Sequence, residues 1–125
     1  MNIDIEKLKN IISETQPKLD FDRRVNNKFD LGTYGYSSSD YGNVRIRFYE
    51  RDNILRVTHL FLVNISCGTG TKIIKYFIEQ CKINNYEKLI IVNAKESDEI
   101  MKKLCANFQC KKTSNDYVDY ELCLK

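Results

Sequence analysis

The 125-residue sequence predicts an α/β (α+β) domain built on one mixed sheet: an antiparallel meander, a strand–helix–strand crossover, a second helix and a C-terminal hairpin. Three observations predict it. Apolar Val44, Ile46 and Phe48 alternate with Arg45, Arg47 and Tyr49, and a long strand, Ile54 to Val63, returns after Arg51-Asp52-Asn53. A glycine-rich turn, Cys67-Gly68-Thr69-Gly70-Thr71-Lys72, then joins that strand to an amphipathic helix. Beyond the helix, Leu89-Ile90-Ile91-Val92 is apolar on both faces, as a strand covered on each side is. Strand, helix, strand in that order makes a right-handed crossover between parallel strands.

The remaining elements follow in order. Ile3, Leu8, Ile11 and Ile12 give residues 3 to 14 one apolar helical side, and Pro17 ends that helix. Leu19 to Asp30 is mixed and polar and reads as a loop. Gly32 to Gly42, with three tyrosines and three serines, reads as a strand running into an exposed turn that flanks a binding site. In the helix after the glycine turn, Ile73, Ile74, Phe77, Ile78 and Cys81 recur at helical spacing. Lys72, Lys75, Glu79 and Lys82 face solvent, with Lys75 and Glu79 spaced as a surface ion pair. Asn84-Asn85 stops it, because Asn tolerates the left-handed conformation. Ser97 caps a second helix opened by Asp98 and Glu99 and closed at Asn107. Phe108 to Thr113 and Tyr117 to Leu124 form the closing hairpin around Ser114-Asn115-Asp116.

The totals narrow the classes of function. A chain of 125 residues makes one domain with one core, 1–125, in which 1–42 is a variable N-terminal helix and loop and 43–125 the core. A net charge of +3 with scattered Lys and Arg argues against a nucleic-acid partner. Apolar runs of a few residues exclude a membrane span or signal peptide. Five cysteines without a C-x-x-C pair, and a single histidine, argue for reduced, mostly buried thiols in a cytoplasmic protein and for no metal site.

The glycine turn carries the chemistry. A turn that opens a helix directs unpaired backbone N–H groups at one point, and the helix dipole adds positive charge there, which suits phosphate. Helix starts usually attract acids. The helix after Ser97 obeys, with Glu96, Asp98 and Glu99, whereas the helix after Gly68 meets no acid in its own sequence until Glu79. Two familiar phosphate loops do not fit: Lys72 stands two places past Gly70, not directly after a glycine, and Ile73 occupies the third glycine position of a dinucleotide fingerprint. A simple glycine turn from strand to helix is the alternative.

From His59-Leu60-Phe61-Leu62 through Gly68-Thr69-Gly70-Thr71-Lys72-Ile73-Ile74 the sequence resembles the acetyl-CoA motif of the GCN5-related N-acetyltransferase (GNAT) family, R/Q-x-x-G-x-G/A at the end of a strand. Here the motif reads Ile65-Ser66-Cys67-Gly68-Thr69-Gly70, and Asn107-Phe108 stands where the family has Gly-Phe. The likeness covers about Val44 to Leu124 and marks a short, divergent member. It implies acetyl transfer from acetyl-CoA, as co-substrate, to a primary amine of a small molecule, peptide or protein. The pyrophosphate would lie on the amides from Cys67 to Lys72, and the pantetheine arm along Leu60, Phe61 and Leu62. Two positions depart from the pattern: Ile65 replaces Arg or Gln, and the family's thiolate-protonating tyrosine falls on Lys103 or Leu104. The alternatives are therefore a catalytically inactive GNAT-fold protein that binds coenzyme A or a protein partner, and an interaction protein using Tyr34 to Tyr41. A homodimer through the apolar last strand is a further option.

Acetyl transfer needs a neutral amine, hence a base. His59, the lone histidine, is the first candidate and Glu50 the second; a packed histidine and a solvated carboxylate are the plain alternatives. Tyr117 and Tyr120, on the last strand, are the candidates for protonating the departing thiolate. Arg45 and Arg47 lie on the solvent face of their strand and serve solubility.

Overall fold

The structure, a computed structural model, describes residues 3–34, 44–63, 68–91, 111–112 and 120–123. The expected helix after Ser97, Cys67, Tyr117 and most of the Tyr34–Tyr41 segment lie outside those residues.

Helix α1 spans Ile5–Ser13; Asp4 caps it by accepting from Lys7 N at 3.1 Å, and Glu6 sits in its first turn. Strands β1 (Phe21–Val25) and β2 (Lys28–Gly32) follow, then β3 (Arg45–Arg51) and β4 (Ile54–Phe61). Helix α2 covers Thr69–Ile83 and leads to β5 (Lys88–Ile91). Strands β6 (Lys111–Lys112) and β7 (Tyr120–Cys123) close the chain. The sheet has seven strands in the order β1-β2-β3-β4-β5-β7-β6. Only β4 and β5 run parallel, with α2 crossing between them, so the expected meander, crossover and terminal hairpin are all present.

The stretch Leu19–Asp30 is corrected: it holds β1 and most of β2, an added hairpin at the sheet edge. Strand β1 is exposed along most of its length, which removes the alternation that would have marked it. In β2, Phe29 and Leu31 are buried around half-buried Asp30, a period of two that was available. The β1–β2 loop is Asn26-Asn27, with Asn26 at φ 55°. Between β3 and β4, Asp52 and Asn53 both take positive φ, 57° and 61°, the geometry of a two-residue hairpin turn that matches strand twist. Asn85, at φ 57°, ends the α2 segment in the left-handed conformation, as expected.

Both helices cover one sheet face. Leu8 and Ile12 of α1 and Ile73 and Phe77 of α2 are fully buried against Leu31, Ile46, Phe48 and Val57. Phe48 stacks on Phe29 and meets the Phe77 ring edge-on, both at 4.9 Å between centroids. Polar contacts fix α1 along α2: Asp4 N donates to Gln80 at 3.0 Å and the Tyr76 hydroxyl to Asp4 O at 2.8 Å. Glu79 pairs with Lys7 of α1 at 2.8 Å, which corrects the expected Lys75–Glu79 pair. Of the described cysteines, Cys81 is buried, its thiol pushed up to about 12 by burial and so inert, whereas Cys123 is exposed. No helix among the described residues is long and apolar enough to cross a membrane.

Candidate functional site

The site is assembled where β4 leaves the sheet and α2 begins. Strand β4 pairs with β5 from Ile54 to Val57, against Lys88 to Ile91, and its described pairing with β5 stops there. Its pairing with β3 continues to Phe61, through a bulge: Phe48 faces Val57 and Arg47 faces His59, so Thr58 is the extra residue. The Thr58 hydroxyl donates to Arg47 O at 3.2 Å, which occupies its one proton. The His59 Nδ1 contact to the Thr58 hydroxyl oxygen, at 3.1 Å, is therefore an N–H donation, which leaves Nε2 as an unprotonated acceptor. Burial, then the charges of Arg45 and Arg47, hold His59 below the ordinary histidine value of 6.5. The sole histidine is thus a neutral imidazole at pH 7, a base by chemistry.

Glu50, three residues from Arg47 along β3, lines the same cleft as His59. Its carboxylate accepts from Asn27 Nδ2 at 3.1 Å and Asn53 N at 3.2 Å, tying two hairpin turns together. Tyr120 pairs in register with Ile91, the level at which β4–β5 pairing ends.

Gly68 caps α2 at φ 76°, with no side-chain cap and no acid in the first turn. Lys72 N bonds Gly68 O at 3.2 Å, so the helix itself offers no acceptor to the amides of Thr69, Gly70 and Thr71. A Cβ built on Gly68 would meet nothing within 4 Å, so open space stands beside the glycine. Leu60 and Leu62 pack partly against the core, while Phe61 is exposed on the outer face, its ring beside His59 at 5.6 Å.

One feature was missed from the sequence. Three consecutive residues after α1 bracket the strand–helix junction. Glu14 pairs with Lys72 at 2.9 Å, the Thr15 and Thr69 hydroxyls bond each other, and buried Gln16 accepts from Val63 N at 2.8 Å. An acid therefore does stand by the α2 start, supplied by α1 rather than by the helix itself. In sequence Glu14-Thr15-Gln16 ahead of Pro17 is a plain polar run, with nothing in it to mark these long-range contacts. Arg45, too, is more than a solubilising group: it grips Asp30 through two bonds of 2.7 and 2.8 Å.

The fold recurs in solved structures. The chain superposes on the PaiA N-acetyltransferase of Thermoplasma acidophilum, solved in complex with coenzyme A, with a TM-score of 0.53 and 13% identity over 78% of this chain. It spans 61% of the length of that enzyme. It also superposes on Tetrahymena GCN5, with a TM-score of 0.53 and 14% identity, over 100% of this chain and 91% of that one. No protein-family model and no curated protein sequence matches the chain. At such identities the likeness establishes the fold, which is that of the GCN5-related N-acetyltransferases in a divergent form.

Proposed function

We propose that the chain is an N-acetyltransferase that uses acetyl-CoA as co-substrate and a primary amine as acceptor. The observation that carries this reading is the junction from β4 to α2. An extended strand end, a left-handed glycine with open space beside it, and three helix amides without intrahelical partners lie in sequence within an acetyltransferase fold. In this reading the amides of Thr69, Gly70 and Thr71 hold the pyrophosphate. Lys72 turns from Glu14 towards it, and the stretch Leu60 to Leu62, beyond the described β4–β5 pairing, accepts the pantetheine arm by strand-like bonds. The coenzyme supplies an activated acetyl thioester and departs as the free thiol. His59 Nε2 takes the proton of the attacking amine, directly or through water, as the nitrogen bonds the acetyl carbon and the carbon–sulfur bond breaks. Tyr117 and Tyr120 are the candidate proton donors to sulfur. A second reading, coenzyme binding without turnover, is favoured by Ile65 and by the absence of a tyrosine at Lys103 and Leu104.

Thermal unfolding with acetyl-CoA tests the shared part of both readings. At a hundred times its Kd the ligand stabilises by about 2.7 kcal/mol, a rise of roughly 3–6 °C for a chain of this size. Gly68→Asp should fold, because Asp tolerates positive φ, but should lose the rise by putting a carboxylate where the phosphates sit. No rise in the wild-type chain would reject both readings, and turnover of amines would separate them.

A further inference from the structure

The outer face of β1–β4, away from both helices, is organised in rows by the strand register. One row runs Phe21, Gly32, Arg45, Phe61, and the next runs Arg23, Asp30, Arg47, His59. Side chains directly opposite each other on one face lie about 5 Å apart, so Arg47 is the immediate neighbour of His59. Its other neighbour, Asp30, is already engaged by both Arg45 nitrogens. Arg23 has its guanidinium over the Phe21 ring at 4.9 Å. That leaves exposed Arg47 without a carboxylate among the described residues, and Lys28, one row further on, is in the same condition. Both line an open cleft of about 570 Å³ that also includes Tyr49, Thr58, His59 and Glu50, whose carboxylate oxygens are engaged by Asn27 and Asn53. This is the size of a small-molecule site. Among the described residues this face carries Arg23, Lys28, Arg45, Arg47 and Arg56 with the carboxylate of Asp30, and the cleft itself adds Arg51 and Glu50, so cations outnumber carboxylates on it.

We propose that this cleft seats a small acceptor amine bearing its own anionic group, a carboxylate or a phosphate, held by the Arg47 guanidinium and the Lys28 ammonium with the amine directed at His59. The proposal rests on the acetyl-transfer reading for the amine's fate, but the anion site stands on the cleft alone. A forked guanidinium facing an unprotonated imidazole across one strand pair offers two complementary contacts to such a molecule: bidentate donors to the anion and an acceptor to the amine. Tyr49 closes the side of the cleft towards Arg56, whose guanidinium lies over its ring at 5.9 Å.

The single histidine makes the test direct. The imidazole C2–H is titrated by proton NMR with glycylglycine against its amide-capped form, and with phosphoethanolamine against ethanolamine. The charged groups facing His59 are Arg45, Arg47 and Asp30, so an anion seated on Arg47 should raise its titration midpoint by on the order of half a unit. The amines that lack the anionic group should not raise it, Arg47→Gln should abolish the rise, and Arg47→Lys should retain part of it. The two anionic probes distinguish a carboxylate from a phosphate specificity. A midpoint unmoved by either anion, or moved equally in Arg47→Gln, overturns the proposal whether or not the coenzyme binds. The melting shift with acetyl-CoA, measured on the same samples, judges the acetyl-transfer reading separately. In turnover, the advantage of the amine bearing the anionic group over its counterpart without one should shrink by about tenfold in Arg47→Gln, appearing in KM.

Discussion

Thr58 decides what its neighbour does. As the extra residue of the β4 bulge it shifts the alternation, so that Leu55 and Val57 point to the core and His59 to the open face. Its hydroxyl, bonded to Arg47 O, fixes the His59 tautomer with a lone pair on Nε2. A base of this kind has a predictable pH signature. Burial and two arginines depress the imidazole, so its acid form is populated only below the ordinary 6.5. Amine acetylation, read as kcat/KM, should therefore show a limb that falls with acid below 6.5 and is attributable to His59. Removing the Arg47 charge weakens the depression and should move that limb to higher pH. A limb unchanged in His59→Gln would exclude the imidazole as the base. Thr58→Val, which keeps the shape but loses the hydroxyl, should lower the rate by releasing the tautomer, without removing the limb.

At the level of elements, the two parts least apparent in sequence are the ones that hold α1 in place. The β1–β2 hairpin is clamped to α1 by Asp22, which accepts from Arg24 at 2.7 and 3.0 Å and from Lys9 at 2.7 Å. Those donors, Arg24 foremost, lower the Asp22 carboxyl to about 2, and desolvation opposes them. A carboxylate lowered in the folded state stabilises above its unfolded value near 3.8, and that contribution is lost as pH falls from about 4 to 2. Because Arg24 and Lys9 are partly exposed, screening limits the effect: Asp22→Asn should cost about 1 kcal/mol at pH 7, less in high salt, and only a small part of that near pH 2. Urea unfolding at the two pH values checks it, and an equal loss at both would assign Asp22 a packing role instead. Sequence reasoning found α1, β3, β4, α2 and β5 because each carries a strong apolar period. It read β1 as loop because Phe21-Asp22-Arg23-Arg24-Val25 is held by ion pairs and edge hydrogen bonds, which leave no periodicity. The glycine turn was readable from its residues. The Glu14-Thr15-Gln16 bracket was not, since nothing in a linear sequence says that residues some fifty positions apart meet.

The whole molecule is a sheet in two parts, the β1–β4 meander and the β5–β7–β6 group, joined by the short parallel ladder of β4 with β5 and by α2. Past Val57, β4 runs on for four residues with β3 as its described neighbour. In such a strand alternate amides point towards β3 and away from it, and only the first set has partners in the β3–β4 ladder. Without ligand, the outward amides between Thr58 and Phe61 should exchange with solvent far faster than their inward neighbours. If the pantetheine arm lies along this edge, acetyl-CoA should slow the outward amides specifically, together with Thr69 to Thr71 at the α2 start. Uniform slowing across β1–β4 would instead report global stabilisation by mass action, with the ligand bound elsewhere. Hydrogen exchange followed residue by residue separates the two, because local protection exceeds the global change only where a hydrogen bond has been added. The pattern also links the two parts of the sheet: a ligand bonded to the β4 edge and to the helix start spans the junction that Glu14, Thr15 and Gln16 already hold from the opposite side. Gln16→Ala, which strips Val63 N of its buried acceptor, should therefore weaken coenzyme-induced protection at both segments together rather than at one.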